Sequence, residues 1–122
     1  RRAVGRNTIC KFHTCGICWR ASVLCGEDRL EEDVSTVFAS DMMSDVLACP
    51  DEIQCMLTGL INSQVIRTAD MMDIGLIVFV RGKCPPEDVV EMARQRDMVV
   101  LVTDCRMFSA CGRLYAAGLG CR

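Results

Sequence analysis

Short apolar runs that alternate with amphipathic segments after residue 54 constrain the fold more than any other feature of the sequence. Three such runs recur about every 21–22 residues, at 54–57, 76–80 and 98–102. A continuous apolar run of this length is typical of a strand that is buried on both faces. Strands that alternate with helices at this period predict a βαβαβ unit with parallel strands and right-handed crossovers.

The helices of this unit are predicted over residues 63–72, 87–96 and 106–117. Asn62 and Ser63 are both suited to cap the first helix. Gly75 is predicted to end it, because glycine commonly follows the last turn of a helix. Pro86 is suited to the first position of the second helix, and Gly118 is predicted to close the third.

The first half of the chain is less regular. Residues 21–24 and 34–39 resemble strands separated by a polar turn at 26–29, and residues 43–47 resemble a short helix. Some of these strands are expected to pair antiparallel. The predicted fold class is therefore α/β, a three-layer α/β/α sandwich with a mixed, mostly parallel sheet. A chain of 122 residues suffices for one such domain.

The composition argues against several classes of protein. A formal net charge of −2 gives no electrostatic reason to expect a nucleic-acid partner. No apolar run approaches the roughly 18 residues that span a bilayer, so no membrane association is expected. The chain has neither an initiating Met nor a signal-peptide pattern, which leaves open whether residue 1 is the native start.

Ten cysteines are many for a chain of this length. In a secreted mini-protein they would suggest a disulfide framework. Here most of them lie inside the apolar runs of predicted helices and strands, and a chain that can bury a full core needs no cross-links. We therefore interpret most of them as buried or half-buried small apolar residues in a reducing, cytoplasmic environment.

Polar and glycine residues directly follow the three apolar runs. Because ligands of open parallel sheets bind outside the carboxyl ends of the strands, these residues form a candidate ligand site. The candidate residues are Thr58, Gly59, Asn62, Ser63, Arg67, Arg81, Gly82, Lys83, Thr103 and Asp104. A helix N-terminus together with two cations would suit a phosphate or a carboxylate. The alternative is that these are ordinary turn residues, as found in every α/β fold.

Cys10, His13, Cys15 and Cys18 form a second candidate site. Thiolates and an imidazole at this spacing could hold zinc or an iron–sulfur cluster. Zinc ribbons and fingers, however, split their ligands into two separated pairs, and a redox CxxC motif follows a strand. This cluster is not split, and nothing before it resembles a strand. The favoured interpretation is a first helix over residues 8–19, with no cofactor expected.

No catalytic constellation emerges from the sequence. His13 is the only histidine, and the GxSxG motif of a hydrolase is absent. Neither GxxxxGK[ST] nor GxGxxG is present, which leaves open a nucleotide bound in another way. We predict that the chain is not an enzyme by itself.

An acidic stretch precedes the first regular strand. Asp41, Asp45, Asp51 and Glu52 could bind a divalent cation. Because Asp and Glu are usually exposed, the favoured interpretation is a solvated helix face with an N-cap.

Five segments have an order and spacing that a known family shares: VLCG at 23–26, ASDMMSDVLA at 39–48, LTGLINSQVIRTA at 57–69, IVFVRGK at 77–83 and MFSACGRL at 107–114. Together they resemble stand-alone DRTGG-domain proteins. The likeness predicts a DRTGG-like α/β domain over residues 21–119, after a divergent cysteine-rich segment over residues 1–20. The family is similar to the N-terminal domain of HPr kinase/phosphorylase and to a domain between CBS domains in some pyrophosphatases. A related domain occurs in long phosphotransacetylases.

Two departures from the family pattern are present. Where relatives have a Gly-Gly pair after the middle strand, this chain has Arg81-Gly82-Lys83. Where relatives begin with an ordinary amphipathic helix, this chain has its cysteine-rich segment.

The resemblance implies an HPr kinase N-terminal-domain-like fold, a tendency to form homodimers and a non-catalytic, regulatory role. The leading hypothesis is a regulatory or ligand-binding domain that binds a small anion or a nucleotide at the strand carboxyl ends. The alternative is a metal-binding or redox accessory protein with a protein partner in an iron-hydrogenase system. That alternative rests on the cysteine cluster and on the family, whose stand-alone members are often encoded near iron-only hydrogenase components.

Overall fold

A computed structural model describes residues 10–11, 21–29, 33–117 and 119 of the chain. Its strands are β1 (Cys10–Lys11), β2 (Ser22–Cys25), β3 (Asp33–Val34), β4 (Val37–Ala39), β5 (Cys55–Thr58), β6 (Leu76–Phe79) and β7 (Val99–Val102). Its helices are α1 (Met43–Leu47), α2 (Ser63–Met71), α3 (Glu87–Gln95) and α4 (Met107–Ala116), with a 3₁₀ turn at Glu27–Arg29.

Five strands form the main sheet, in the order β2-β7-β6-β5-β4. The four strands β4 to β7 are parallel, and β2 pairs antiparallel with β7 at one edge. In register, Cys55 lies opposite Leu76, and Leu76 lies opposite Val99. The predicted mixed, mostly parallel sheet is confirmed.

The two faces of the sheet are covered by different helices. Strands β4, β5, β6 and β7 follow one another across the sheet in chain order. When such parallel strands are joined by crossovers of the same handedness, the connecting helices lie on one face of the sheet. Helices α1, α2 and α3 accordingly pack on the face that carries Met56 and Ile77. Helix α4 packs on the opposite face against Leu57, Val78 and Leu101. Because side chains of a strand alternate between faces, both cores draw on the same apolar runs, and the three-layer sandwich is confirmed.

The ends of the helices differ in detail from the prediction. Asn62 is the N-cap of α2 and accepts a hydrogen bond from the Gln64 N–H at 3.1 Å. Gly75 does not end this helix, which stops at Met71. The left-handed residue there is Asp73, with φ of 59°. Pro86 is the N-cap of α3 rather than its first residue. At the end of α2, the Asp73 N–H donates to the Asp70 carbonyl and the Ile74 N–H donates to the Ala69 carbonyl, so no glycine is required there. Gly118 lies outside the described residues.

The strand predicted over residues 34–39 is in fact two strands in two sheets. Strand β3 pairs antiparallel with β1 in a separate two-stranded sheet, whereas β4 joins the main sheet. The break falls at Ser35 and Thr36, where the side chain of Gln54 accepts from the Ser35 N–H at 2.7 Å and the Thr36 hydroxyl accepts from the Gln54 N–H at 3.0 Å. The helix predicted over residues 8–19 is wrong at residues 10–11, which form β1; the rest of it lies outside the described residues.

Six cysteines in the described part of the chain carry thiols rather than disulfide bonds. Cys25 and Cys55 are buried, three others are half-buried, and Cys84 is exposed. The interpretation of most cysteines as small apolar residues is confirmed for these positions, with Cys84 as the exception. Among the described helices, none is long and apolar enough to cross a membrane.

Candidate ligand-binding site at the carboxyl edge of the sheet

The loops that follow the parallel strands meet at one edge of the main sheet. After β6 the chain continues into α3 on one face, and after β7 it continues into α4 on the opposite face. Loops that leave neighbouring parallel strands toward opposite faces open a crevice between them, and ligands of α/β sheets bind in such crevices. The edge between β6 and β7 is therefore the place where a ligand site is expected.

Asp41, Gly59 and Arg81 come together at the carboxyl edge of the sheet, beside this crevice, from the loops that follow β4, β5 and β6. The Gly59 N–H donates to Asp41 Oδ1 at 2.7 Å, and the Thr58 hydroxyl lies 3.4 Å from the same oxygen. A guanidinium nitrogen of Arg81 lies 3.5 Å from Asp41 Oδ2. Both side chains are nearly half exposed, at 47% for Asp41 and 44% for Arg81, so solvent screens their attraction.

The guanidinium of Arg81 lies directly over Gly59. A Cβ atom built on Gly59 would lie 2.8 Å from Arg81 Cζ. Any side chain at position 59 would therefore displace the guanidinium. The absence of a side chain is what allows the cation of the β6 loop to reach the β5 loop.

Arg81 and Gly82 form a tight turn with left-handed backbone at both positions. Their φ angles are 67° and 68°, and positive φ at both central residues is the mark of a type I′ turn. The Arg81 N–H donates to the Cys105 carbonyl at 2.7 Å, and the Gly82 N–H donates to the Thr103 carbonyl at 2.9 Å. These two hydrogen bonds fix the β6 loop to the β7 loop, so the backbone under Arg81 is held on both sides.

The two threonines of the candidate site are buried and support the loops. The Thr58 hydroxyl accepts from the Leu60 N–H at 3.1 Å, and the Thr103 hydroxyl accepts from the Cys105 N–H at 3.2 Å. Each hydroxyl thus caps the backbone two residues further on. Their role in the structure is to shape the loops.

The other predicted residues lie around this centre. Asn62 is occupied as the cap of α2, and Ser63 is the first residue of that helix. Arg67 and Lys83 are exposed, and Asp104 lies beside Gly82, where a Cβ atom would be 3.2 Å from its Oδ1. The edge therefore carries the cations Arg81 and Lys83 together with the carboxylates Asp41 and Asp104.

Asp41 is the member of this group for which the sequence predicted a different place, on a solvated helix face with an N-cap. The N-cap of α1 is Met42. The prediction that one of the four acidic residues between positions 41 and 52 caps this helix is therefore wrong. The Met42 N–H instead donates to the Ser40 hydroxyl at 2.9 Å. Within the described residues, no group of three or more His, Cys, Asp or Glu side chains could hold a metal ion. The signal for Asp41 was its position two residues beyond a strand.

The predicted metal cluster lies almost entirely outside the described residues. His13, Cys15 and Cys18 are not among them, and Cys10 is described only as part of β1. The expectation of no cofactor, and its alternative of zinc or an iron–sulfur cluster at these four residues, both stay predictions.

Comparison with solved structures finds a likeness to a regulatory region. No protein-family model and no curated protein matches the chain. The chain is similar to a crystal structure of the CBS and DRTGG domains of the regulatory region of Clostridium perfringens pyrophosphatase, complexed with an activator, diadenosine tetraphosphate. The TM-score is 0.70 at 14% sequence identity, and the match covers 89% of this chain and 47% of that one. The predicted resemblance is confirmed at the level of the fold: the chain has a DRTGG-like α/β fold.

Proposed function

We propose that the chain is a regulatory domain that binds a phosphate-bearing ligand, with nucleotides as the leading class, at the carboxyl edge of its sheet. The convergence of three loops on Arg81 is the observation that carries this proposal. A guanidinium is the side chain best suited to phosphate because it is always charged and presents a planar fork of donors. Lys83, two residues further along the same loop, is exposed and adds a second cation at the carboxyl edge of the sheet.

The structural likeness supports the nucleotide class. The similar crystal structure is of a regulatory region, and its complex contains a dinucleoside polyphosphate. A shared fold by itself does not transfer a ligand, so the position of the site in this chain is argued from its own loops. We extend the proposal to a non-catalytic role and to a homodimer.

The binding proposal is tested by calorimetric titration with ATP, diadenosine tetraphosphate and inorganic pyrophosphate, alongside thermal melts. Arg81→Asn is the informative variant, because Asn tolerates left-handed backbone and keeps the turn while removing the cation. Arg96→Asn is its matched control. Arg96 also pairs with a half-exposed carboxylate, that of Asp70 at 3.4 Å, but it follows α3 at the opposite edge of the sheet.

We expect at least one of the three probes to bind the wild type and raise its melting temperature. Charge-assisted hydrogen bonds contribute about 1.5–3 kcal/mol each, so Arg81→Asn should weaken binding by roughly tenfold or more, while Arg96→Asn should leave it unchanged. Absence of binding by all three probes would overturn the proposal. Equal losses in the two variants would move the ligand away from this edge.

The homodimer is tested by light scattering on the purified chain. Phe108 and Tyr115 lie seven residues apart on α4 and are 89% and 78% exposed, so they share one face of the helix. Serine at both positions should convert a dimer into a monomer if this face is the contact. A wild type that is monomeric at every concentration would contradict the homodimer.

A further inference from the structure

Asp41 fills the centre of the candidate site with a carboxylate that belongs to the chain itself. Three donors surround this carboxylate: the Gly59 N–H at 2.7 Å, the Thr58 hydroxyl at 3.4 Å and the Arg81 guanidinium at 3.5 Å. A backbone amide, a hydroxyl and a guanidinium are the groups with which proteins bind phosphate oxygens. The arrangement is an anion site whose anion comes from a neighbouring loop.

We propose that Asp41 holds this donor set in the unliganded protein and that a phosphate group of the ligand takes its place. The inference rests on the proposed function and adds to it the donors, the competing group and the chemistry of the ligand. Asp41 thereby sets the affinity of the site, because every ligand must displace it or share the donors with a second negative charge.

The contacts of Asp41 allow such an exchange. Both Asp41 and Arg81 are nearly half exposed, so a ligand reaches the donors from solvent and the ion pair that it replaces is a weak one. Asp41 lies in the three-residue connection between β4 and α1, outside both elements. Its side chain can therefore leave the donors while the strands keep their register.

A comparison of carboxylate with phosphate indicates which ligands can displace Asp41. A carboxylate offers two oxygens and one negative charge, whereas a terminal phosphate offers three oxygens and up to two charges. A phosphate can also accept from Arg81 in the bidentate manner, and Lys83 follows two residues later. A simple carboxylate gains little over Asp41, so the site should select phosphates and polyphosphates against carboxylates such as acetate and succinate.

Replacement of Asp41 by Asn is the direct test. Asn keeps an acceptor for the Gly59 N–H and removes the charge that competes with the ligand. Two unit charges about 4 Å apart interact strongly enough near a protein surface to change an equilibrium by roughly tenfold or more. We expect Asp41→Asn to tighten pyrophosphate binding by about tenfold at low salt. Asp45→Asn, which removes an exposed carboxylate in α1, should change it less than about twofold.

A second measurement needs no variant. In the wild type, saturating pyrophosphate should shift the side-chain carboxyl carbon resonance of Asp41 and the amide resonance of Gly59, because both lose their present partner. Succinate at the same concentration should shift neither.

The outcomes separate this inference from the proposed function. Tighter pyrophosphate binding by Asp41→Asn than by the wild type, with Asp45→Asn unchanged, supports the inference. If the wild type binds pyrophosphate through Arg81, yet Asp41→Asn binds it no more tightly and the carboxyl carbon does not shift, the inference is overturned and the proposed function stands. If neither protein binds any phosphate probe, the proposed function fails and the inference fails with it.

Discussion

Truncation of Asp41 should destabilise the fold by more than its exposed position suggests. The Gly59 residue is buried, and its N–H donates to Asp41 Oδ1 at 2.7 Å. Asp41→Ala removes this acceptor and leaves a buried N–H without it. Asp41→Asn keeps an acceptor oxygen in the same place. The two variants therefore separate the hydrogen bond from the charge.

The expected magnitudes follow from the two kinds of contact. A buried N–H that loses its acceptor costs about 1–3 kcal/mol, and a half-exposed ion pair such as that with Arg81 contributes about 0–1 kcal/mol. The free energy of unfolding should thus fall by about 2 kcal/mol in Asp41→Ala and by about 0.5 kcal/mol in Asp41→Asn. With a urea m-value of roughly 2 kcal/mol per molar, the midpoint should move by about 1 M and about 0.25 M respectively.

Urea unfolding followed by circular dichroism measures both shifts. Asp45→Ala is the matched control, since it removes an exposed carboxylate four residues away and should change the free energy by less than about 0.5 kcal/mol. The reasoning is refuted if Asp41→Ala is no worse than Asp45→Ala, because the Gly59 N–H would then not depend on this oxygen. It is refuted as well if Asp41→Asn costs as much as Asp41→Ala, because the charge would then outweigh the hydrogen bond.

Three further predictions use the same unfolding assay. Gly59→Ala should lower the free energy of unfolding by less than about 1 kcal/mol, because the added Cβ meets only the flexible end of the Arg81 guanidinium. Gly26→Ala should lower it by more than about 2 kcal/mol, because its Cβ would lie 2.7 Å from backbone atoms beside β7 and its φ is 85°. The reverse order would contradict the geometry. Asp73→Gly and Asp97→Gly, at left-handed positions with φ of 59° and 56°, should each add about 0.5–1 kcal/mol; a loss would show that the carboxylates themselves contribute. Burial raises the pKa of the Cys25 thiol above its ordinary value of 9.0, so the folded state holds this proton more tightly than the unfolded state does. The contribution of this thiol to the free energy of unfolding is therefore full below about pH 9 and is lost as the pH rises through the folded-state pKa. Cys25→Ala should reduce this alkaline loss, and an unchanged pH profile would contradict it.

The regular half of the fold could be predicted from the sequence because its strands are buried on both faces. A strand in this position must be apolar at every residue, so β6 and β7 are visible as continuous runs. Their predicted ends differ from the structure by one residue at most on each side, because Val80 and Met98 are buried just beyond the strands. An apolar run marks the residues that are buried, and it extends further than the residues that form the hydrogen bonds of the strand.

The short strands near the start of the chain could not be separated in this way. Val34 and Val37 belong to different sheets, yet Ser35 and Thr36 between them include no Gly or Pro that would mark a break. The division depends on the side chain of Gln54, a residue from a distant part of the chain. Contacts between residues far apart in the sequence leave no periodic signal.

The position of Asp41 beside Gly59 depends on the pairing of β4 with β5, which the sequence pattern did not reveal. Strand β4 lies parallel to β5, with Ala39 opposite Leu57. Because parallel strands advance together, Asp41 lies level with Gly59, two residues beyond the paired positions. Gly59 and Arg81 could be predicted from the apolar runs that precede them, whereas Asp41 required the order of the strands in the sheet.

Strain in the backbone and contacts with neighbouring loops together explain how the guanidinium of Arg81 is placed at the carboxyl edge of the sheet. Left-handed backbone is unfavourable for a residue with a long side chain, at a cost of roughly 1–2 kcal/mol, and the first position of a type I′ turn favours Asn, Asp or Gly. The turn is held in this conformation by its hydrogen bonds to the Thr103 and Cys105 carbonyls. It aims the guanidinium across Gly59, where a side chain would displace it. An observed backbone outlier is a reason to look for function. Here the strained turn, the glycine and the carboxylate of Asp41 all serve to place one cation at the edge where a parallel sheet binds its ligands.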